Sequence, residues 1–232
     1  MEPSGTARQI WGRFCGRLDM VGKAVALFEH DEGMRVQTRT VGKTRRRPVL
    51  RRSAAMEALV VEAGSVLTED WKSGALLYDG LVYVMFLKDE AGVPVPLYIG
   101  KAETFGKGES NLSANITNLD REQTKFVRWG DAYYYHVGDL SAVSLPGHPP
   151  GKQSRKYRRW AEALFRRVPS KNPVLRTEVY FWCMCWPKSE IGIWEELGPT
   201  RLAFQEYLMI GVASAAFPGI VLNQEGQNRG EG

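Results

Sequence analysis

Two apolar runs joined by a short charged turn constrain this chain more than any other stretch. The first run covers residues 80–87 and the second covers residues 95–100. Runs of β-branched and aromatic residues bounded by Asp, Gly and Pro are typical of two antiparallel strands joined as a hairpin. Because side chains alternate along a strand, Tyr83 and Tyr98 can lie on the same face, and Gly100 leaves room beside Tyr98.

Length and composition indicate one substantial domain with additions. A chain of 232 residues can bury a single large core. Its 44% hydrophobic and 25% charged residues are ordinary for a globular protein. The formal net charge of +5 is compatible with an anionic partner, but a basic surface without a partner would have the same charge.

Several classes of protein are disfavoured by features that the sequence lacks. The three cysteines, Cys15, Cys183 and Cys185, make no disulfide framework, and no Cys/His cluster predicts a zinc site. No apolar run is long enough to span a bilayer, and the N-terminus does not have the pattern of a signal peptide. We therefore expect an intracellular, cytoplasmic protein with no membrane partner.

Residues 1–53 have the composition of a basic N-terminal arm, and residues 54–232 are expected to form one domain. Apolar residues spaced three or four apart from Ile10 to Phe28 predict an amphipathic helix at the start of the arm. A later basic run in the arm is either a solvated tether or a phosphate-binding segment. The arginines at the centre of this run are Arg45, Arg46 and Arg47.

A second basic stretch lies within a segment that we interpret as an insertion, at about residues 120–199. Its cations are interleaved with Tyr157 and Trp160, which is typical of nucleic-acid-binding surfaces, although a solvated helix face has the same pattern. These cations are Arg155, Lys156, Arg158 and Arg159. Before this stretch, the sequence predicts a helix over residues 110–119 and a strand within residues 128–143.

Glu206 is the charged residue that most limits the classes of function compatible with the sequence. It lies at helical spacing between Leu202 and Met209, so a carboxylate falls in the apolar stripe of a helix predicted over residues 201–215. Burying an unpaired carboxylate costs several kcal/mol, so it needs an arginine, a hydrogen-bond cluster or a metal. One carboxylate with waters and substrate phosphate is a common way to hold Mg²⁺. A structural ion pair is the alternative interpretation.

Taken in order, these residues resemble the GIY-YIG nuclease family, in which a hairpin carries two tyrosine motifs and a later helix carries a metal-binding glutamate. The second motif is intact as Tyr98-Ile99-Gly100. The first motif keeps Tyr83 but has Leu81 where the family has glycine. Glu206 matches the family's glutamate, and Asn223 matches the asparagine that closes the module.

One family residue is missing. On the helix after the second motif the family has Leu-x-x-Arg, and here Leu112-Ser113-Ala114-Asn115 has asparagine in the place of the arginine. Arg128, from the next segment, is the expected substitute, and Arg121 is a less attractive one. If neither arginine reaches the site, the resemblance implies a fold that binds DNA without cutting it.

The resemblance implies an α+β fold with a small, mainly antiparallel central sheet flanked by helices. It also implies a metal-dependent DNA endonuclease that hydrolyses phosphodiester bonds, of restriction or phage-defence type. The expected partner is DNA, and the expected cofactor is Mg²⁺ or another divalent cation. The alternative is a catalytically inactive DNA- or RNA-binding module on the same fold. The sequence does not determine the oligomeric state, and a homodimer is compatible with it.

The resemblance also assigns roles to individual residues. Glu206 would hold the metal, and Tyr83 is favoured over Tyr98 as the base that activates water, with its phenol pKa lowered by Lys101 or by the metal. Arg128 would neutralise the developing charge on the phosphate. The remaining expectations are that Asn223 positions site residues, that His136 is either a proton carrier or a structural histidine, and that Gly100 and Lys101 contact DNA.

Overall fold

A four-stranded sheet built on the predicted hairpin is the centre of the fold. The structure, a computed structural model, describes residues 4–44, 46–106 and 111–227. Its strands are β1 (Val25–Ala26), β2 (Thr38–Val41), β3 (Arg47–Leu50), β4 (Tyr78–Lys88), β5 (Pro94–Glu103) and β6 (Tyr180–Pro187). Its α-helices are α1 (Gly5–Arg17), α2 (Met20–Lys23), α3 (Ala54–Ser73), α4 (His136–Ser144), α5 (Arg155–Leu164) and α6 (Leu202–Ala216). The large sheet has the order β1-β6-β4-β5, while β2 and β3 form a separate pair.

The chain divides into two compact units. The first unit, here called the hairpin unit, contains Met1–Val25, Glu62–Ser113 and Tyr180–Gly232. The second, here called the basic unit, contains Ala26–Val61 and Ala114–Val179. The expected class, α+β with a small antiparallel sheet flanked by helices, is confirmed. No helix in the described part of the chain is long and apolar enough to cross a membrane.

The register of the hairpin fixes which side chains share a face. β4 and β5 are antiparallel, with Tyr83 opposite Gly100 and Met85 opposite Tyr98. β6 is a continuous apolar run, a pattern typical of a buried strand, and it pairs with the other edge of β4 and places Cys183 opposite Tyr83. Because directly opposite residues lie on the same face, the two tyrosines share one face, as predicted.

The other face of the hairpin carries the main core of the hairpin unit. Val82, Val84 and Ile99 are completely buried there, in one apolar cluster with residues of α1 and α6. The indole of Trp11, on α1, is also buried and donates to the carbonyl of Pro94 at 2.8 Å. This packing places α6 on the face of the sheet that is opposite to Tyr83.

Residues 1–53, which were expected to form one basic arm, are shared between the two units. α1 belongs to the hairpin unit, because its apolar stripe, including Phe14, is buried in the core rather than left in solution. The basic run of the arm lies at the turn and second strand of the β2–β3 pair in the basic unit, so its described residues are not a tether. Arg45 itself lies outside the described residues.

The last helix is predicted correctly. α6 begins within one residue of the prediction, and the carboxylate of Asp79 accepts from the backbone N–H of Leu202 at its first turn, at 3.1 Å. Asp79 also accepts two hydrogen bonds from Arg201, both of 2.6 Å. The start of β4 therefore holds the first turn of the helix that carries Glu206.

Two predicted elements are wrong. The described residues 111–119 form turns rather than a helix, because Ser113 continues the pairing of the preceding strand with a hydrogen bond to Thr104, and the local Ser, Thr and Asn side chains compete with helical bonding. Residues 128–143 contain no strand. There the carboxylate of Asp139 accepts from the N–H of Tyr134 at 2.8 Å, which supports a turn into α4.

Candidate functional site

The two motif tyrosines are brought together on one face of the hairpin. Their ring centroids are 6.3 Å apart, and the Tyr83 ring also stacks on Phe181 at 6.1 Å. A Cβ placed on Gly100 would lie 2.6 Å from the Tyr83 ring, so the space that this glycine leaves open is filled by Tyr83. Gly100 is consequently buried, and its contact with DNA stays a prediction.

Asn223 fastens the C-terminal segment to the free edge of β5. Its carboxamide oxygen accepts from the N–H of Ile99 at 3.0 Å, and its nitrogen donates to the carbonyl of Ile99 at 2.8 Å. The backbone of Leu222 adds a hydrogen bond to Leu97 at 2.7 Å. An asparagine side chain can donate and accept at once, so it replaces a neighbouring strand at the central residue of the second motif.

Glu206 lies half-buried on α6, in the apolar stripe where it was predicted. Among the described residues its carboxylate belongs to no ion pair, so the structural ion pair considered above is absent from that part of the chain. Burial raises its pKa to about 7, the nearby charge of Lys101 lowers the pKa, and Glu103 and Glu225 raise it further. No positive charge in the described part of the chain lies close enough to form an ion pair with this carboxylate, and a bound cation would stabilise its charged form.

Lys101 lies on the α6 side of the hairpin and not on the tyrosine side. It is opposite Val82 in the register, so its side chain leaves the face away from Tyr83, and its ammonium pairs with Glu103. Lys101 is therefore on the same side of the sheet as Glu206, whose pKa its charge lowers, and not on the side of Tyr83, whose pKa it was expected to lower. The two halves of the predicted site occupy opposite faces of β5, which is the edge strand of the sheet.

A divalent cation is compatible with this donor set if water and phosphate complete it. The described residues contain no group of three or more His, Cys, Asp or Glu side chains that could hold a metal ion by themselves. Glu206 is a half-buried oxygen donor that forms no ion pair with those residues, and Glu103 and Glu225 add negative potential. Mg²⁺ retains several waters and commonly takes only one or two protein carboxylates, so the residues fit Mg²⁺ better than zinc.

A cleft of about 600 Å³ lies in the hairpin unit at the first turn of α6, and Glu206 is not among the residues that line it. It is bounded by Glu103 at the end of β5 and by Ala203, which lies one helical turn before Glu206 on α6. Cationic and aromatic side chains line the rest of it, including Arg201, Lys188 and Phe105. Its volume is within the range of ligand-binding pockets, and its lining combines cations with aromatic rings.

Other expected catalytic residues belong to the basic unit. Arg128 lies over the ring of Tyr135, with its guanidinium carbon 5.2 Å from the ring centre. His136 is buried against Trp160 and within 2.8 Å of the Tyr157 hydroxyl, and burial lowers its pKa well below the ordinary value. A neutral histidine enclosed by aromatic rings fits the structural alternative better than the proton carrier.

The cations of the predicted basic surface lie on the exposed side of α5, but the aromatic residues interleaved with them are not part of that surface. Tyr157 and Trp160 are buried in the core of the basic unit, so they cannot stack on bases. The strongly amphipathic pattern of α5 places the charges on the outside, where Arg155, Arg158 and Arg159 are exposed and Lys156 is partly covered. In the basic run at residues 45–47, which was expected to belong to the arm, Arg46 is exposed.

Arg47 is partly committed to contacts within the basic unit. It donates to the carbonyl of Asp131 at 2.9 Å and lies over the ring of Tyr133.

Charge is divided unequally between the two units. The basic unit contains 20 Lys and Arg against 10 Asp and Glu, whereas the hairpin unit contains 11 against 16. The modest net charge of the whole chain therefore hides a strongly cationic unit and an anionic one. Non-specific affinity for phosphates depends on such local charge, which the overall charge does not reveal.

Three acidic residues of the site were not predicted. Asp79 holds the start of α6, while Glu103 and Glu225 raise the pKa of Glu206. Glu103 could have been found, because it lies two residues from Lys101 and therefore on the same face of the strand. Asp79 and Glu225 had no local signal, since their partners are distant in the sequence.

Comparison with known proteins gives no match. No family model matches the chain, no curated protein is similar to it, and no solved structure is similar to its fold at a significant level. The resemblance to GIY-YIG nucleases therefore depends on the motif residues and their placement alone.

Proposed function

We propose that the chain is a metal-dependent DNA endonuclease that hydrolyses phosphodiester bonds at a GIY-YIG-like site in the hairpin unit. The observation that carries this proposal is Glu206, a half-buried carboxylate that has no ion-pair partner among the described residues and a pKa raised to about 7. Such a group is stabilised by a divalent cation. Glu206 lies on α6, which packs against β5, the strand that carries the second motif and that Asn223 holds at Ile99, and this arrangement supports the nuclease type.

The metal, when bound, would act as a Lewis acid toward a phosphate oxygen and the leaving group. Glu206 holds it in this proposal, with waters and the substrate phosphate as the other ligands. Lys101 lies next to Glu206 and offers a positive charge to the same phosphate once its pairing with Glu103 is relaxed. Glu103 and Glu225 increase the local negative potential and so favour a cation.

Tyr98 is the better candidate for contact with the attacking water. Tyr83 is only 1% exposed and packs on Gly100, Phe181 and Tyr98, so its environment suits a positioning role. Tyr98 is partly exposed on the same face of β5. Tyr98 lies on the opposite face of β5 from Lys101 and Glu206, and Asn223 covers the strand edge between them, so this role requires the substrate to pass around the end of β5.

A second candidate function, a nucleic-acid-binding module without catalysis, is favoured by one specific observation. Asn115 stands in the place of the family arginine, and Arg128 already lies over Tyr135 in the basic unit. Without an arginine on the phosphate, the developing charge lacks a contact that is commonly worth a hundredfold in rate. Binding would then depend on the cations of the basic unit alone.

Cleavage of supercoiled plasmid in the presence and absence of Mg²⁺ separates the two candidates. The endonuclease proposal predicts nicked or linear product with Mg²⁺ and none with EDTA. Binding of the same plasmid in EDTA serves as the reference, because both candidates predict it. Retained binding with no cleavage under any divalent cation would favour the module without catalysis.

A further inference from the structure

Three consecutive tyrosines in the basic unit each lie beneath a cation. The Arg47 guanidinium is 4.4 Å from the centre of the Tyr133 ring, and the Arg128 guanidinium is 5.2 Å from that of Tyr135. The Lys152 ammonium lies 4.4 Å from the centre of the Tyr134 ring. Distances below about 6 Å are those of cation–π contacts. We call Tyr133, Tyr134, Tyr135, Arg47, Arg128 and Lys152 the tyrosine platform.

Tyr134 is the outward member of the platform. It is 72% exposed, which is the highest value among the large hydrophobic residues in the described part of the chain. Its backbone has a φ of +72°, a conformation that is costly for a tyrosine. Asp139 holds this conformation by accepting from the N–H of Tyr134 at 2.8 Å, and Lys152 donates to its hydroxyl at 2.8 Å.

The rest of the platform is anchored, so Tyr134 projects from a fixed base. The Tyr133 hydroxyl is 3.0 Å from Nδ1 of His148, and Nε2 of the same ring is 2.8 Å from the carbonyl of Pro48. Arg47 is held in turn by the carbonyl of Asp131 at 2.9 Å. A pre-organised aromatic side chain loses little conformational entropy when it binds.

The surroundings of the platform are cationic. Burial raises the pKa of Asp139, whereas the positive charges of Lys152, Lys156 and Arg128 lower it, which places these three cations around one carboxylate. The basic unit as a whole carries twice as many basic as acidic residues. An exposed ring within a positive field is complementary to a base attached to a phosphate.

We propose that the tyrosine platform binds unpaired nucleotides, with Tyr134 stacking on an exposed base while Lys152 and Arg128 contact the flanking phosphates. This inference rests on the proposed function in that the partner is DNA, and it adds that the preferred substrate contains single-stranded positions. Bases within a duplex present only their edges, so they cannot offer a free face to Tyr134. Stacking on an aromatic residue needs no particular sequence, because every base has a π-face.

The test is anisotropy of a labelled single-stranded 12-mer and of the duplex of the same sequence, measured on the full chain in EDTA. Tyr134→Ala is expected to weaken binding of the single strand about tenfold, the scale of losing one stacked base, and to change duplex binding less than about twofold. Tyr134→Phe keeps the ring and should bind as the unmodified chain does. Trp194→Ala, which removes a 45% exposed aromatic residue in the hairpin unit, is the control and should have no effect.

Three results would overturn the inference. The first is unchanged single-strand binding by Tyr134→Ala when circular dichroism shows that the variant is folded. The second is an equal loss of single-strand and duplex binding, which would show that Tyr134 contacts the DNA backbone and does not stack on a base. The third is an equal loss from Trp194→Ala.

Cleavage plays no part in the anisotropy measurement. A failure of the inference about Tyr134 can therefore be distinguished from a failure of the proposed nuclease function. A chain that stacks bases through Tyr134 but never cuts DNA with Mg²⁺ would contradict only the nuclease proposal. A chain that cuts duplex plasmid and does not need Tyr134 for single-strand binding would contradict only the inference.

Discussion

The ring of Tyr83 lies across Gly100 on the neighbouring strand, so closely that a single added carbon at Gly100 would lie within 2.7 Å of two ring atoms and the hydroxyl oxygen of Tyr83. The ring cannot move aside easily, because Tyr98 and Phe181 pack against it. This contact gives a physical reason for a glycine at the end of the second motif and a tyrosine at the end of the first. The two motifs are a matched pair across the strands.

Gly100→Ala should therefore destabilise the chain by about 2 kcal/mol, the usual cost of forcing extra volume into a packed core. Urea denaturation with a shared slope measures the difference. Gly12→Ala is the matched control, since an added carbon there meets no atom within 4 Å and lies within α1. That control should stabilise the chain by about 0.5–1 kcal/mol. Equal behaviour of the two variants would contradict the packing described for Tyr83.

Asn223→Ala should cost about 2 kcal/mol or more, because it leaves both the N–H and the carbonyl of Ile99 without their partner in a buried position. Hydrogen exchange is the sharper measurement, since the Ile99 amide should exchange faster in the variant than the other amides of β5. Asn172→Ala, at an exposed asparagine, is the control and should be nearly neutral. Unchanged protection of Ile99 would show that Asn223 does not fasten this edge.

Local patterns predicted the hairpin, β6 and α6 because each is a long apolar or amphipathic run. The short elements were mispredicted where a distant or turn-forming contact decides the outcome, as with Ser113 on Thr104 and Asp139 on Tyr134. The motif residues Tyr83, Tyr98, Glu206 and Asn223 could be picked from the sequence by their order.

What the sequence could not provide is the division into units, in which Arg128 belongs to the unit that does not contain the hairpin. It also gave no sign that Tyr157 and Trp160 are buried while Tyr134 is exposed. These features depend on which long-range contacts form, and no local spacing encodes them.

Stability should depend on pH through Glu206. Its pKa is raised from 4.5 to about 7 on folding, so the carboxyl favours the fold fully at pH values below 4.5 and this contribution is lost as the pH rises through about 7. Glu206→Gln cannot ionise, so at about pH 8 it should be more stable than the unmodified chain by on the order of 2 kcal/mol, after allowance for partial exposure.

Thermal unfolding at about pH 5 and about pH 8 measures this difference, which should nearly vanish at the lower pH. Mg²⁺ at the higher pH should raise the melting temperature of the unmodified chain and leave that of Glu206→Gln unchanged. A variant that is less stable than the unmodified chain at the higher pH would show that Glu206 has a stabilising partner after all.

The exposed face of α5 should control the salt dependence of DNA binding. Replacing Arg155, Arg158 and Arg159 together by Gln should lower the slope of log affinity against log salt on duplex DNA by roughly 0.9 per lost phosphate contact, about 2.7 in all. Replacing Arg46 and Arg47 should lower it less, because Arg47 is already bonded to Asp131.

A variant with three exposed cations of the hairpin unit neutralised provides the matched control for charge. It combines Arg13→Gln, Lys23→Gln and Lys72→Gln, and its slope should stay within about 0.5 of the unmodified value. A slope that falls equally in this control would mean that only the total charge matters. An unchanged slope in the α5 variant would mean that its arginines are merely solvated.

The central claim is that Glu206 binds the metal that makes this chain a nuclease, and single-turnover cleavage of supercoiled plasmid at about pH 8 tests it most directly. The unmodified chain should produce nicked or linear DNA with Mg²⁺, and Glu206→Gln should lose at least about a hundredfold in rate while its binding of the plasmid in EDTA stays within about twofold. Cleavage by Glu206→Gln at the rate of the unmodified chain would contradict the account.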